Sequence, residues 1–168
     1  MTLVINLFAG PGAGKSTTAA GLFYELKKKG KLVELVTEFA KDMVWEERHS
    51  VFEDQLYILA KQNRRLKRLQ GKVDYVITDS PLLLGQYYTR EDKTELTYLI
   101  NWAFNKYNNL NIFINRTKPY VQTGRNENYR EALNADRGIK ELLKEYEYVE
   151  LIDNEQIIPE ICRLLIAR

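Results

Sequence analysis

The chain has 168 residues, 45% of them hydrophobic and 29% charged, with a formal net charge of +2. That is the make-up of one ordinary globular domain, large enough to bury a core without disulfides. A single cysteine, Cys162, and a single histidine, His49, are too few for a zinc site and too far apart in sequence to point to a thiol–imidazole pair, and the small net charge decides nothing about nucleic acid as a partner.

No apolar run approaches the ~18 residues of a membrane span, and the first strand begins at Thr2, so an intracellular, cytoplasmic protein is expected. Leu3 to Phe8 reads as that strand, and it leads into Ala9-Gly10-Pro11-Gly12-Ala13-Gly14-Lys15-Ser16-Thr17. Glycines let successive backbone N–H groups turn inward as an anion-binding concavity, and the helix that follows adds the positive end of its dipole. The spacing is that of a phosphate loop, with Ala9 where the pattern has its first glycine. Pro11 has no N–H, so donors are expected from Gly12, Ala13, Gly14, Lys15 and Ser16. Lys15 is expected to reach the β- and γ-phosphates, Ser16 to ligate Mg²⁺, and Thr17 to offer a second hydroxyl to the α-phosphate. A Rossmann loop fits worse, since its third glycine would fall at Lys15. The implied ligand is a nucleoside triphosphate.

Ala19, Leu22, Phe23 and Leu26 give one apolar face to a helix from Ser16 to Lys29, closed by Gly30. Lys31 to Val36 reads as a second strand ending at Thr37-Glu38. Ligands of open α/β sheets sit beyond the carboxyl ends of the strands, which aims Glu38 at the γ-phosphate as a candidate general base. Phe39 to Arg48 reads as a helix, and Ser50 to Gln70 as a longer one with Ser50 and Glu53 as a capping box. Gln55 and Gln62 lie seven apart beside its buried face, where carboxamides could read the edge of an acceptor base. Lys61, Arg64, Arg65, Lys67 and Arg68 form the densest basic patch of the chain. Val73 to Thr78 is a third strand, and Asp79-Ser80-Pro81 follows it. An acidic residue in that place is the Walker B arrangement, a second oxygen for Mg²⁺ opposite Ser16.

Glu91 to Tyr107 reads as a helix and Leu110 to Asn115 as a fourth strand. The polar stretch 116–130 then reads as a lid able to close over ATP, with Arg116, Arg125 and Arg130 as candidates for the transferring phosphoryl group and the acceptor. Glu127 to Tyr146 is a helix, Tyr148 to Ile152 a fifth strand, and Glu155 to Arg168 a closing helix. The alternation specifies an α/β fold, a three-layer P-loop domain over residues 1–168 with a five-stranded parallel sheet. Asn105-Lys106-Tyr107-Asn108 ends in Asn and lies before a strand, which argues against a guanine-reading GTPase. A small phosphotransferase fits the remaining elements.

Three stretches, Thr37-Glu38-Phe39-Ala40-Lys41, Asp54-Gln55 through Ala60-Lys61-Gln62, and Thr78-Asp79-Ser80-Pro81-Leu82-Leu83, resemble the small P-loop kinases related to nicotinamide riboside kinase and to nucleoside and nucleotide kinases. The resemblance looks closest to compact phage-encoded members, among them the 5-hydroxymethyluridine DNA kinases of thymidine hypermodification. It implies ATP and Mg²⁺, with Lys15 and Ser16 on phosphate and metal, Glu38 at the acceptor, Asp79 on metal and Arg125 in the lid. The acceptor it implies is 5-hydroxymethyluracil in DNA, inside the host cytoplasm if the chain is phage-encoded. A free nucleoside or nucleoside monophosphate, nicotinamide riboside included, is the alternative acceptor. A nucleotide-binding switch is the alternative of another class. Ser80-Pro81 departs from the Arg that usually follows the acidic residue in nucleoside and thymidylate kinases.

Overall fold

The computed structural model describes residues 1–89, 93–121 and 127–167. Five strands, β1 (Leu3–Phe8), β2 (Val33–Val36), β3 (Tyr75–Thr78), β4 (Asn108–Asn115) and β5 (Val149–Ile152), form one sheet in the order β2-β3-β1-β4-β5. Every pairing in it is parallel. The helices are α1 (Lys15–Lys28), α2 (Phe39–Trp45), α3 (Gln55–Lys67), α4 (Leu84–Tyr88), α5 (Lys93–Phe104), α6 (Tyr129–Leu143) and α7 (Ile157–Ile166). The expected five-stranded α/β architecture is the observed one.

Strand alternation sorts the core into two layers. Leu3, Ile5 and Leu7 face α1 and α7, where Ala19, Leu22, Leu26, Ile157 and Ile161 meet them. Val4 and Phe8 face the other way, onto Leu59 and Leu66 of α3, Ile100 and Phe104 of α5, and Ala135 and Ile139 of α6. Between Val4 and Phe8, Asn6 is fully buried, and its amide donates to Asn109 Oδ1 at 2.9 Å and Asn111 Oδ1 at 3.1 Å. A polar group in a core is tolerable when it is hydrogen-bonded, and these bonds tie β1 to β4 side by side.

Helix ends differ from the sequence expectation at one informative place. Ser50 does not cap a helix; it lies in a 3₁₀ turn, His49–Glu53. Asp54 is the N-cap of α3 and accepts the Tyr57 N–H at 2.9 Å, so the helix begins five residues after Ser50. The capping box belongs to α6, between Asn128 and Glu131. Among the described residues no helix is long and apolar enough to cross a membrane.

Candidate active site

The site lies beyond the carboxyl ends of β2, β3 and β1. Val36 and Asn6 both stand in register with Thr78, so the segments leaving β2 and β3 start level and β1 runs two residues further, to Phe8. That register puts Glu38, Asp79 and the phosphate loop next to one another.

Gly12 (φ 74°) and Gly14 (φ 99°) turn the loop through the left-handed region, which glycine enters without the Cβ clash other residues meet. A Cβ on Gly14 would also come within 2.9 Å of the Asp153 carboxyl group. Gly14 is the N-cap of α1 and supplies no side-chain cap, so the first-turn amides of α1 point into the loop without a side-chain acceptor. Lys15 reaches back across the loop, donating from Nζ to the carbonyls of Ala9 at 2.7 Å and Gly10 at 3.0 Å. The Ser16 hydroxyl donates to Asp79 Oδ2 at 2.6 Å. Thr17 is exposed on the first turn of α1.

Asp79 is 6% exposed, and its Oδ1 is buried with no hydrogen-bond partner. A buried carboxylate oxygen without a donor is costly unless a cation completes it. Together with the Ser16 hydroxyl it offers hard oxygen ligands suited to Mg²⁺. Among the described residues no cluster of three or more His, Cys, Asp or Glu could hold a metal unaided, so a cation here would draw its other ligands from phosphate and water. The two residues expected to share the metal therefore meet.

Glu38 is the residue before α2, in extended conformation, and its carboxylate makes no cap bond to the helix. Burial pushes its pKa up, against the opposing pull of the Lys15 ammonium. Lys15 is shifted down by burial, while Glu38, Asp79 and Asp136 hold it back. The lysine and the carboxylate therefore perturb each other beside the phosphate loop. Tyr88 ends α4, and burial and then the charges of Glu127 and Glu38 push its phenol up. Glu127 and Tyr88 were not singled out in the sequence. Both come from segments with no motif, and a run of two tyrosines at the end of a short helix was the available signal.

Other expected site residues go elsewhere. Gln62 is 4% exposed, and its carboxamide is bonded within the protein. Its Oε1 accepts the Phe39 N–H at 3.0 Å and its amide donates to Thr37 O at 3.3 Å. It therefore brackets the Glu38 backbone from both sides, because the first amide of α2 needs an acceptor that Glu38 does not supply. Gln55 opens α3, and its amide donates to Phe52 O at 2.8 Å, which spends that donor on the preceding turn. Arg116 faces α6 and the phosphate loop: its Nε donates to Asp136 Oδ2 at 2.6 Å, and Asp136 Oδ1 accepts the Gly10 N–H at 2.6 Å. Arg130 is exposed on the first turn of α6. Arg125 lies outside the described residues. Asp136 escaped the sequence reading; its signal is the small-residue run Ala132, Ala135 and Gly138 beside it, which marks a helix face that others approach closely.

No curated protein matches the sequence. Among solved structures, thymidylate kinase from Candida albicans superposes with a TM-score of 0.61 at 14% identity, covering 99% of this chain and 92% of that one. Deoxyadenosine kinase from M. mycoides, with dCMP and dCDP bound, gives 0.57 at 18% identity, covering 98% and 100%. The Mycobacterium tuberculosis APS kinase in complex with AMPPNP and APS gives 0.53 at 12% identity, covering 98% of each. At these identities the likeness is one of fold, the P-loop NTPase fold. A family model described as an AAA domain, AAA_28, matches residues 4–158, nearly the whole length, and the chain with its phosphate loop belongs to that family.

Proposed function

We propose that the protein is an ATP-dependent phosphotransferase that moves the γ-phosphoryl group of ATP to a hydroxyl of a nucleoside-type acceptor. The observation that carries this reading is the convergence, at three neighbouring strand ends, of Lys15, the bonded pair Ser16–Asp79, and Glu38. Kinases of thymidylate, deoxyadenosine and APS sharing the fold add support. In the step itself the acceptor oxygen attacks the γ-phosphorus as the bond to the β-bridging oxygen breaks, ADP leaves, and the acceptor proton passes to the Glu38 carboxylate. Lys15 would exchange the Ala9 and Gly10 carbonyls for phosphate oxygens and offset the charge of the transition state. Ser16 and Asp79 would hold Mg²⁺, which when bound would supply positive charge to offset that of the phosphates.

For the acceptor we put forward 5-hydroxymethyluracil in DNA. Support comes from the surface beside Glu38. The Phe39 ring packs edge-on against Tyr57 at 5.6 Å, Arg65 lies over Phe39, and Lys61 lies over Tyr57. Arg64, Lys67 and Arg68 are exposed along the same helix, and Trp45 is 69% exposed at the end of α2. The exposed rings are those of Tyr57 and Trp45, and exposed cations beside them suit a single strand with its bases unstacked. A free nucleoside is the second reading, favoured by an aromatic ring, Tyr88, on which the charges of Glu127 and Glu38 bear.

Transfer from γ-labelled ATP with Mg²⁺ tests this, offered to free nucleosides, to nucleoside monophosphates, and to DNA with or without 5-hydroxymethyluracil. Label is expected in the modified DNA and is expected to fall by about 1,000-fold or more in Lys15→Ala. Label in a small molecule moves the acceptor to the second reading. Near-normal transfer by Lys15→Ala, or label in free phosphate alone, overturns the kinase.

A further inference from the structure

The phosphate loop is held from outside by α6. Asp136 Oδ1 accepts the Gly10 N–H at 2.6 Å, and its Oδ2 takes the Arg116 Nε at 2.6 Å. The Ala9–Gly10 peptide to which that N–H belongs presents its carbonyl, Ala9 O, to Lys15 Nζ at 2.7 Å. A run of direct contacts therefore leads from Arg116 through Asp136 and one peptide unit to the lysine expected on the phosphates. The approach is close: a Cβ on Gly10 would stand 2.6 Å from Ala132 O and 2.8 Å from Asp136 Oδ1. Arg116 is 10% exposed and Asp136 16% exposed at the side chain, so the pair interacts with little solvent screening and neither charge is cheaply left alone. Pro11 follows Gly10 and has no N–H, which leaves Gly10 as the last amide on the entry side of the loop that α6 can grip.

We propose that Asp136 is the positioning residue of the phosphate loop: its carboxylate, fixed by Arg116, sets the Gly10 peptide and through it the place from which Lys15 meets the triphosphate. This rests on the kinase reading for its effect on turnover, but its effect on nucleotide affinity does not. Asp136 forms no expected contact with substrate, so it acts through the loop. Its second carboxylate oxygen is what distinguishes it from a neutral anchor, because one oxygen serves the peptide and the other the guanidinium.

A groove of about 310 Å³ opens onto this pair, lined by Phe113, Asn115, Leu133, Arg137 and Lys140 besides Arg116 and Asp136. It lets a small carboxylate enter when the side chain is cut back, and that supplies the test. Asp136→Ala is expected to bind ATP about 30-fold more weakly, the size expected for losing charge-assisted hydrogen bonds, and to lose turnover by at least as much. Sodium formate should recover about tenfold of the affinity, while sodium chloride at equal ionic strength recovers none. Arg137→Ala, on the groove wall, should keep wild-type affinity. Wild-type ATP affinity in Asp136→Ala, or a loss that formate leaves untouched, overturns the proposal. If Asp136→Ala fails to fold, Asp136→Asn replaces it, keeping a carbonyl for Gly10 but no charge for Arg116; wild-type ATP affinity there also overturns it. Should the kinase reading fail, wild-type protein labels no acceptor, yet the affinity loss and its rescue by formate still appear.

Discussion

A carboxylate that accepts a proton works only while ionised, and an ammonium that neutralises phosphate works only while protonated. Burial raises the Glu38 pKa above its ordinary 4.5 and lowers that of Lys15 below its ordinary 10.5. Both shifts narrow the range in which the free enzyme has the two groups charged. Activity should rise with pH through a limb above the usual glutamate range, as Glu38 ionises, and fall through a second limb below the usual lysine range, as Lys15 loses its proton. The expected profile of kcat/KM is thus a bell squeezed from both sides. Glu38→Gln is expected to lower kcat by about 100-fold or more and to erase the acid limb while leaving the alkaline one. A pH series on both proteins checks this; an acid limb that survives in Glu38→Gln returns Glu38 to a structural role.

At the level of elements, one carboxamide of α3 holds the first turn of α2. Gln62 satisfies the first amide of α2 and shares the Thr37 carbonyl with Arg65, so Gln62→Leu, of similar shape, would strand one buried donor, the Phe39 N–H. The expected cost is about 1 to 3 kcal/mol of stability, with kcat lowered as Glu38 shifts and ATP affinity kept. Gln62→Glu, which retains the acceptor for Phe39, should recover part of the loss. A raised acceptor KM with an unchanged melting temperature would instead make Gln62 a reader of the acceptor. Helix periodicity in the sequence placed Gln62 beside a buried face, but its partners lie 23 and 25 residues away in a turn whose course the spacing does not encode. Asp136 was hidden for the same reason, as its partners Gly10 and Arg116 are 126 and 20 residues distant. The end of α3 was misplaced on a local rule that two residues could satisfy: Ser50 and Asp54 both suit an N-cap, and the intervening residues close a 3₁₀ turn.

Over the whole molecule, what sequence revealed most clearly was order along the chain: short apolar strands alternating with amphipathic helices require a parallel sheet, and the motifs at strand ends then fall on one edge. That is why the pattern of the sequence alone brings Lys15, Ser16, Glu38 and Asp79 together, whereas the acceptor surface depends on how helices pack across the chain. The net charge of +2 says little about it, since the distribution decides. Arg65 is engaged by Asp42 at 2.6 Å and by Thr37 O at 3.1 Å, and so is not free to release counterions from DNA. Arg64, Lys67 and Arg68 are exposed and are the cations available to phosphates. Each phosphate neutralised on a single strand adds about −0.7 to the slope of log K against log salt. Changing Arg64, Lys67 and Arg68 together to Gln should therefore flatten the slope for single-stranded DNA by about 2, and weaken binding at low salt without altering ATP affinity. Fluorescence anisotropy over a salt series measures it. A slope that is already flat in the wild-type protein, or one the triple variant leaves unchanged, removes DNA as the acceptor and leaves the free nucleoside, whose binding would respond little to salt.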